Sequence, residues 1–186
     1  MIIIFGSAGS GKSTQGEMLA DKHDWQHISS GHIFRESGDI EIKTTIDRGE
    51  MVPDVIANRM IFAILDEKSL AGEQGGVVLD GYPRSLSQAE FLVEHNTALH
   101  GHHNINLAVM IDVSRDEVIK RMLLRGRDDD YPEKIEKRLA IYHAAIDPIL
   151  EYFTEQNIPV AHVDGNGSIE SIHEDIEAEL VRRGIV

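Results

Sequence analysis

The segment Gly6-Ser-Ala-Gly-Ser-Gly-Lys12-Ser13 limits what this chain can fold into more than any other stretch. It satisfies G-x-x-x-x-G-K-[ST] in the right surroundings: the apolar run Met1-Ile2-Ile3-Ile4-Phe5 precedes it, and Thr14-Gln-Gly-Glu-Met-Leu-Ala continues as a helix. Glycines let successive backbone N–H groups turn inward around phosphate oxygens, where a Cβ would obstruct the turn. The helix N-terminus adds partial positive charge. Lys12 can reach the outer phosphates, and the Ser13 hydroxyl can ligate magnesium. The loop points to a nucleoside triphosphate, but by itself it does not separate kinases from GTPases, ATPases or nucleotide-gated modules.

A strand running into such a loop belongs to a parallel α/β sheet, and the rest of the chain agrees. Short apolar runs recur at Ile2–Phe5, Gly76–Leu79, Leu107–Val113 and Val160–Val163, with a weaker one at Gln26–Ser29. Helical periodicity is expected at Lys12–Lys22, Pro53–Leu65, Ser85–His95, Ser114–Arg125, Pro132–Gln156 and Ser168–Arg183. Continuous apolar runs alternating with helices indicate strands buried on both faces. Ser114 and Ser168 have the residue type that caps helix starts, and Ser114 with Glu117 is expected to form a capping box. Ile135, Leu139, Tyr142, Ile146, Ile149 and Phe153 make a core stripe on the long helix, and Trp25 is read as a packing residue. The expected architecture is a P-loop three-layer α/β/α domain, residues 1–186, with a five-stranded parallel sheet. Gly31–Gly49 and Gly126–Tyr131 fall outside the alternation and read as surface excursions. The length suits one core.

Lys and Arg total 18 against 32 Asp and Glu, a formal net charge of -14. Such a surface repels polyphosphate backbones, so nonspecific nucleic-acid binding is disfavoured. With no cysteine, disulfides and Cys-type zinc sites are excluded. The first apolar run is too short for a signal or a membrane span, so a cytoplasmic protein without membrane association is expected. His100-Gly-His-His103 lacks neighbouring carboxylates at ligand spacing and reads as a solvated loop.

Against the acidic background, arginines recur in four further segments: His27-Ile-Ser-Ser-Gly-His-Ile-Phe-Arg35 with Gly49-Glu-Met-Val-Pro53, Asp80-Gly-Tyr-Pro-Arg-Ser-Leu-Ser-Gln88, Arg121-Met-Leu-Leu-Arg-Gly-Arg-Asp-Asp129, and Arg138-Leu139. An enzyme joining two phosphorylated nucleotides needs fixed positive charge at both phosphate chains and at the transferred group. Arginine suits this because its planar fork binds phosphate oxygens in pairs. Arg121 and Arg125 are four apart, hence on one helical face.

Together these segments resemble adenylate kinase and its nucleoside-monophosphate kinase relatives, across nearly the whole chain and in the family's motif order. The resemblance implies reversible, magnesium-dependent transfer of the ATP γ-phosphoryl group to AMP; no zinc and a monomeric state are also expected. It implies that Gly9, Ser10, Gly11, Lys12, Ser13 and Thr14 bind the triphosphate, with Arg121 stacked on the ATP adenine and backbone near Gly167 touching that base. Arg35 and Arg84 would hold the acceptor's phosphate beside Gly81, Tyr82 and Pro83. Ser30, Glu50, Met51, Val52 and Gln88 would line the acceptor base pocket. Gln88 can both donate to and accept from an adenine edge, whereas pyrimidine-accepting relatives tend to place Asn there, so AMP is favoured over UMP or CMP. Lys12, Arg84, Arg125, Arg127 and Arg138 would be catalytic, the last three converging on the transferred group. Asp80 would hold magnesium through water. Asp128 and Asp129 would position arginines. An acceptor flap is expected at about 30–52 and a short lid at about 126–132.

The chain departs from the family pattern in several places. Ser13 stands where Gly is usual, Ala8 where Pro is common, and His32 where Asp is usual. Only Gly126 separates Arg125 from Arg127, so a long, metal-stapled lid is excluded. Two alternatives remain: another nucleoside-monophosphate kinase, distinguished by Ser30 and Gln88, and a P-loop ATPase or nucleotide-gated regulator, which would leave Arg35, Arg84 and Arg127 without a role.

Overall fold

A computed structural model describes residues 1–71, 76–98, 104–126 and 130–186. His100–His103 and the three residues Arg127, Asp128 and Asp129 therefore lie outside the described residues. The elements run β1 (Ile2–Phe5), α1 (Lys12–His23), β2 (Gln26–Ser29), α2 (Ser30–Glu36), α3 (Ile40–Asp47), α4 (Asp54–Ala71), β3 (Val77–Asp80), α5 (Leu86–Ala98), β4 (Leu107–Asp112), α6 (Arg115–Arg125), α7 (Pro132–Glu155), β5 (Val160–Asp164) and α8 (Ile169–Arg182).

The five strands form one parallel sheet in the order β2-β3-β1-β4-β5. Every residue of β1 is buried, as a strand covered by helices on both faces must be. Successive side chains point to opposite faces. Ile3 and Phe5 join Leu79, Met110, Ile149 and Phe153 in one layer, while Ile2 and Ile4 join Leu19, Val78, Ile172, Ile176 and Leu180 in the other. A third cluster, Val118, Met122, Ile135 and Leu139, joins α6 to α7. Each fully buried Leu or Ile contributes about 1.5–3 kcal/mol of transfer free energy.

The chain leaves β1 towards β2 and β3 on one side, and β4 and β5 lie on the other. This reversal opens a crevice beyond the carboxyl end of β1, where open α/β sheets bind ligands. Residues that follow β1, β2 and β3 all emerge there.

Two sequence expectations change. The stretch Gly31–Gly49, expected as a surface excursion, contains two short helices. Phe34 and Ile42 are buried in the core, and Asp39 caps α3 by accepting from the amides of Glu41 (2.8 Å) and Ile42 (3.2 Å). The capping expectation holds at Ser168 and fails at Ser114. Ser168 caps α8 through Ser171 N (3.2 Å), whereas the Ser114 side chain makes no cap bond. Glu117, needed for the box, instead accepts from Lys120 and Arg121 one turn on.

Candidate active site

The loop after β1 takes the conformation its glycines allow. Gly9 (φ 86°) and Gly11 (φ 93°) adopt positive φ, and a Cβ on Gly9 would lie 2.7 Å from Met122 Cγ. Only glycine fits where the loop presses on α6. Ser10 is buried, and its amide donates to Ser7 O at 3.1 Å. Thr14 begins the exposed face of α1. Lys12, half-buried, folds back so that Nζ donates to Ser7 O at 3.1 Å. Burial lowers its pKa to about 8; Asp80 opposes that shift, and Arg84, Arg138 and Arg125 add to it.

Asp80, at the carboxyl end of β3, is 1% exposed. Its Oδ2 accepts from Ser13 Oγ (2.6 Å) and Ser29 Oγ (2.9 Å), and His27 Nε2 stands 3.7 Å away. Burial works to raise its pKa, but His27, Lys12 and the two hydroxyls together hold it well below the usual carboxylate range. Among the described residues its buried Oδ1 has no hydrogen-bond partner. An orphaned carboxylate oxygen beside the Ser13 hydroxyl is an oxygen donor set suited to a hard divalent cation.

Past β3 the chain turns through Gly81, Tyr82, Pro83 and Arg84. Ser30, expected on the acceptor base pocket wall, is fully buried and does not line the cleft. Its Oγ donates to Gly81 O at 2.5 Å and lies 3.4 Å from Arg84 NH2. Arg84 Nε donates to the same carbonyl at 2.6 Å. The guanidinium is open to the cleft but crowded by protein, which lowers its pKa; Asp80 opposes this, and Arg138 and Arg35 add to it. Arginine stays charged under such shifts. Tyr82 is buried, with its hydroxyl donating to Asn58 Oδ1 at 2.7 Å.

One cleft gathers Lys12, Ser13, Arg35, Glu50, Met51, Val52, Asp80, Gly81, Tyr82, Pro83, Arg84, Gln88, Arg125 and Arg138. Glu50 also pairs with Lys137 Nζ at 3.2 Å, joining the segment before α4 to α7. Arg121 and Gly167 do not line this cleft. Arg121 Nε donates to Glu117 at 2.9 Å on α6, and Gly167 is exposed ahead of α8.

Two acidic residues join the site that motif spacing does not mark. Asp130 has a fully buried carboxylate that receives Arg125 Nε (2.8 Å), Arg125 NH2 (2.7 Å) and Arg138 NH1 (3.2 Å). Asp54, in the first turn of α4, receives Gln88 Nε2 (2.7 Å) and Ser85 Oγ (2.9 Å). Asp130 had a signal in the acid run following the arginines. Asp54 reads in sequence only as a favourable charge at a helix start.

Comparison with known proteins decides the family. The adenylate kinase family model matches residues 4–158. This chain belongs to the adenylate kinase family. It is 37% identical over 183 residues to adenylate kinase of Micrococcus luteus, covering 93% of this chain and 86% of that one. It is 33% identical to the enzyme of that name from Bacteroides thetaiotaomicron, covering 94% and 95%, and 31% identical to that of Prochlorococcus marinus strain MIT 9301, covering 96% and 97%. The resemblance carried by the arginine segments is thus a family relationship, and the five-stranded parallel sheet is the fold expected of it.

Proposed function

We propose that this chain catalyses reversible transfer of the ATP γ-phosphoryl group to AMP, giving two ADP. The observation that carries this reading is that the phosphate loop, four arginines and Gln88 line one cleft. A nucleotide hydrolase or switch needs Lys12, Ser13 and Asp80, but has no use for Arg35, Arg84 and Gln88 in the same cleft.

In this reading Gly9–Thr14 bind the triphosphate, and Arg35 and Arg84 fix the acceptor phosphate beside Gly81–Pro83. Gln88, Met51 and Val52 hold its base, while Ser30 acts from beneath by bracing Gly81 and Arg84. An ionised oxygen of the AMP phosphate attacks the γ-phosphorus as the bond to the β-phosphate oxygen breaks and ADP departs. That oxygen carries no proton, so no general base is needed. Lys12, Arg84, Arg125 and Arg138 stabilise charge on the group in flight, with Arg127 assigned to the same role by family resemblance. Asp80 and Ser13 would hold magnesium, which supplies charge neutralisation on the phosphates. Residues of about 30–52 would close over the acceptor and about 126–132 over the donor, with Arg121 and Gly167 at the ATP base. We further assign a monomer in the cytoplasm; among the described residues no helix is long and apolar enough to cross a membrane.

The test is a coupled assay of Mg-ATP against AMP, UMP, CMP and GMP. ADP formation that depends on acceptor, and is fastest with AMP, is expected. ATP loss at the same rate without acceptor would overturn the reading.

A further inference from the structure

Gln88 is 2% exposed, and both ends of its amide are engaged within the protein. Oε1 accepts from the main-chain amide of Arg84 at 2.7 Å, and Nε2 donates to Asp54 Oδ1 at 2.7 Å. A backbone N–H only donates and a carboxylate only accepts, so these two partners fix which end of the amide is which. Asp54 is itself held. Its other oxygen accepts from Ser85 Oγ at 2.9 Å, and that hydroxyl accepts from Gln88 N at 3.1 Å. The result is a closed ring of Ser85, Asp54 and Gln88 on the cleft wall.

The consequence is chemical selectivity. A 6-aminopurine presents an acceptor at N1 beside a donor at N6; a 6-oxopurine presents a donor at N1 beside an acceptor at O6. A freely turning glutamine amide serves either edge, because its terminal torsion is soft and nearly two-fold. Here each end of the amide keeps one hydrogen-bonding valence beyond the lock: one proton on Nε2 and one lone pair on Oε1. A half-turn would set NH2 against the Arg84 N–H and Oε1 against the Asp54 carboxylate, both at hydrogen-bond distance. We infer that Asp54 is a positioning residue that holds the Gln88 amide in one orientation, so that the acceptor site selects 6-aminopurine over 6-oxopurine monophosphates. The inference rests on the proposed role of Gln88 at the acceptor base.

The test is steady-state kinetics with AMP and IMP as acceptors for the unaltered protein, Asp54→Asn, Gln88→Ala and the double variant. Asparagine keeps the size of Asp54 but can donate as well as accept, so it removes one of the two clashes that a turned amide would meet and leaves only the one with the Arg84 N–H. The AMP-over-IMP ratio of kcat/KM should fall by about tenfold, equivalent to ~1.4 kcal/mol, with the loss in acceptor KM and none in the KM for ATP. In the Gln88→Ala background Asp54→Asn should change nothing further. An unchanged ratio in a folded Asp54→Asn protein overturns the inference, as does an equal fall with and without Gln88. If Gln88→Ala itself keeps the preference for AMP, Gln88 does not read the base, and that failure belongs to the acceptor assignment beneath the inference. Should Asp54→Asn not fold, Ser85→Ala releases one oxygen of Asp54 and should lower the ratio in the same direction, by about threefold.

Discussion

Arg125 and Asp130 form a two-pronged pair: Nε lies 2.8 Å from Oδ2 and NH2 lies 2.7 Å from Oδ1. The same Oδ1 receives Arg138 NH1 at 3.2 Å, so one buried carboxylate fixes arginines from the end of α6 and the start of α7. A paired fork restricts both position and plane. Asp130 therefore sets where two of the cleft's positive charges stand, without facing the phosphates itself.

Asp130→Ala should accordingly lower kcat by about 100-fold, the scale of misplacing a catalytic group by an ångström. The KM for AMP should move far less, since Arg84 is held by Gly81 and Ser30 instead. Comparable losses in both parameters would show that Asp130 serves general folding instead of arginine placement.

The pH dependence of triphosphate binding follows from Lys12. In the free protein burial brings its pKa to about 8, below the ordinary lysine value of 10.5. Between those values the unfolded chain binds more protons than the folded one, so this group's contribution to stability rises with pH through that window. Bound phosphate favours the charged ammonium and reverses the shift. Binding of Mg-ATP at about pH 8.5 should take up most of one proton, and at about pH 7 very little. Calorimetry in two buffers of different ionisation enthalpy measures this. Equal uptake at both values would remove Lys12 from the phosphates.

The sheet was legible because buried parallel strands are short, apolar and bounded by turns, and Ile2–Phe5 needs no partner sequence to be recognised. Lys12, Arg84, Arg125 and Arg138 were legible through motif spacing. The pairings of Asp54 with Gln88 and of Asp130 with Arg138 were not, because they join residues 34 and 8 positions apart through tertiary packing. The helices α2 and α3 were missed because each buries few side chains, among them Phe34 and Ile42, within a polar segment. Ser114 was misjudged because its expected partner, Glu117, has two cations of its own within one turn.

Magnesium dependence isolates Ser13, which stands where relatives usually carry glycine. Its hydroxyl lies 2.6 Å from Asp80 Oδ2, next to an Oδ1 that has no hydrogen-bond partner among the described residues. Ser13→Gly should raise the magnesium concentration for half-maximal rate by about tenfold, the scale seen when a metal site loses an orienting group. The KM for AMP should not follow. A magnesium titration at fixed ATP reads both, and an unshifted midpoint would show that the hydroxyl serves Asp80 alone.

A stability test comes from Gly16, whose place in the middle of α1 is unfavourable by helix propensity alone. Replacing glycine with alanine inside a helix gains up to about 1 kcal/mol. Here, however, a Cβ would stand 2.7 Å from His27 Nε2 and 2.9 Å from its Cδ2. His27 is itself confined beside Asp80, its side chain 15% exposed. Relieving such a clash in a packed interior costs about 1–3 kcal/mol, so packing outweighs propensity. Gly16→Ala should destabilise the protein by about 1 kcal/mol, lowering the Tm by ~2–4 °C. In a His27→Ala background the clash is gone and only propensity remains, so the same substitution should become stabilising. Urea unfolding of the four proteins gives the comparison. A Gly16→Ala protein more stable than the original, with His27 in place, would mean that the imidazole yields freely and does not hold its position beside the Asp80 carboxylate.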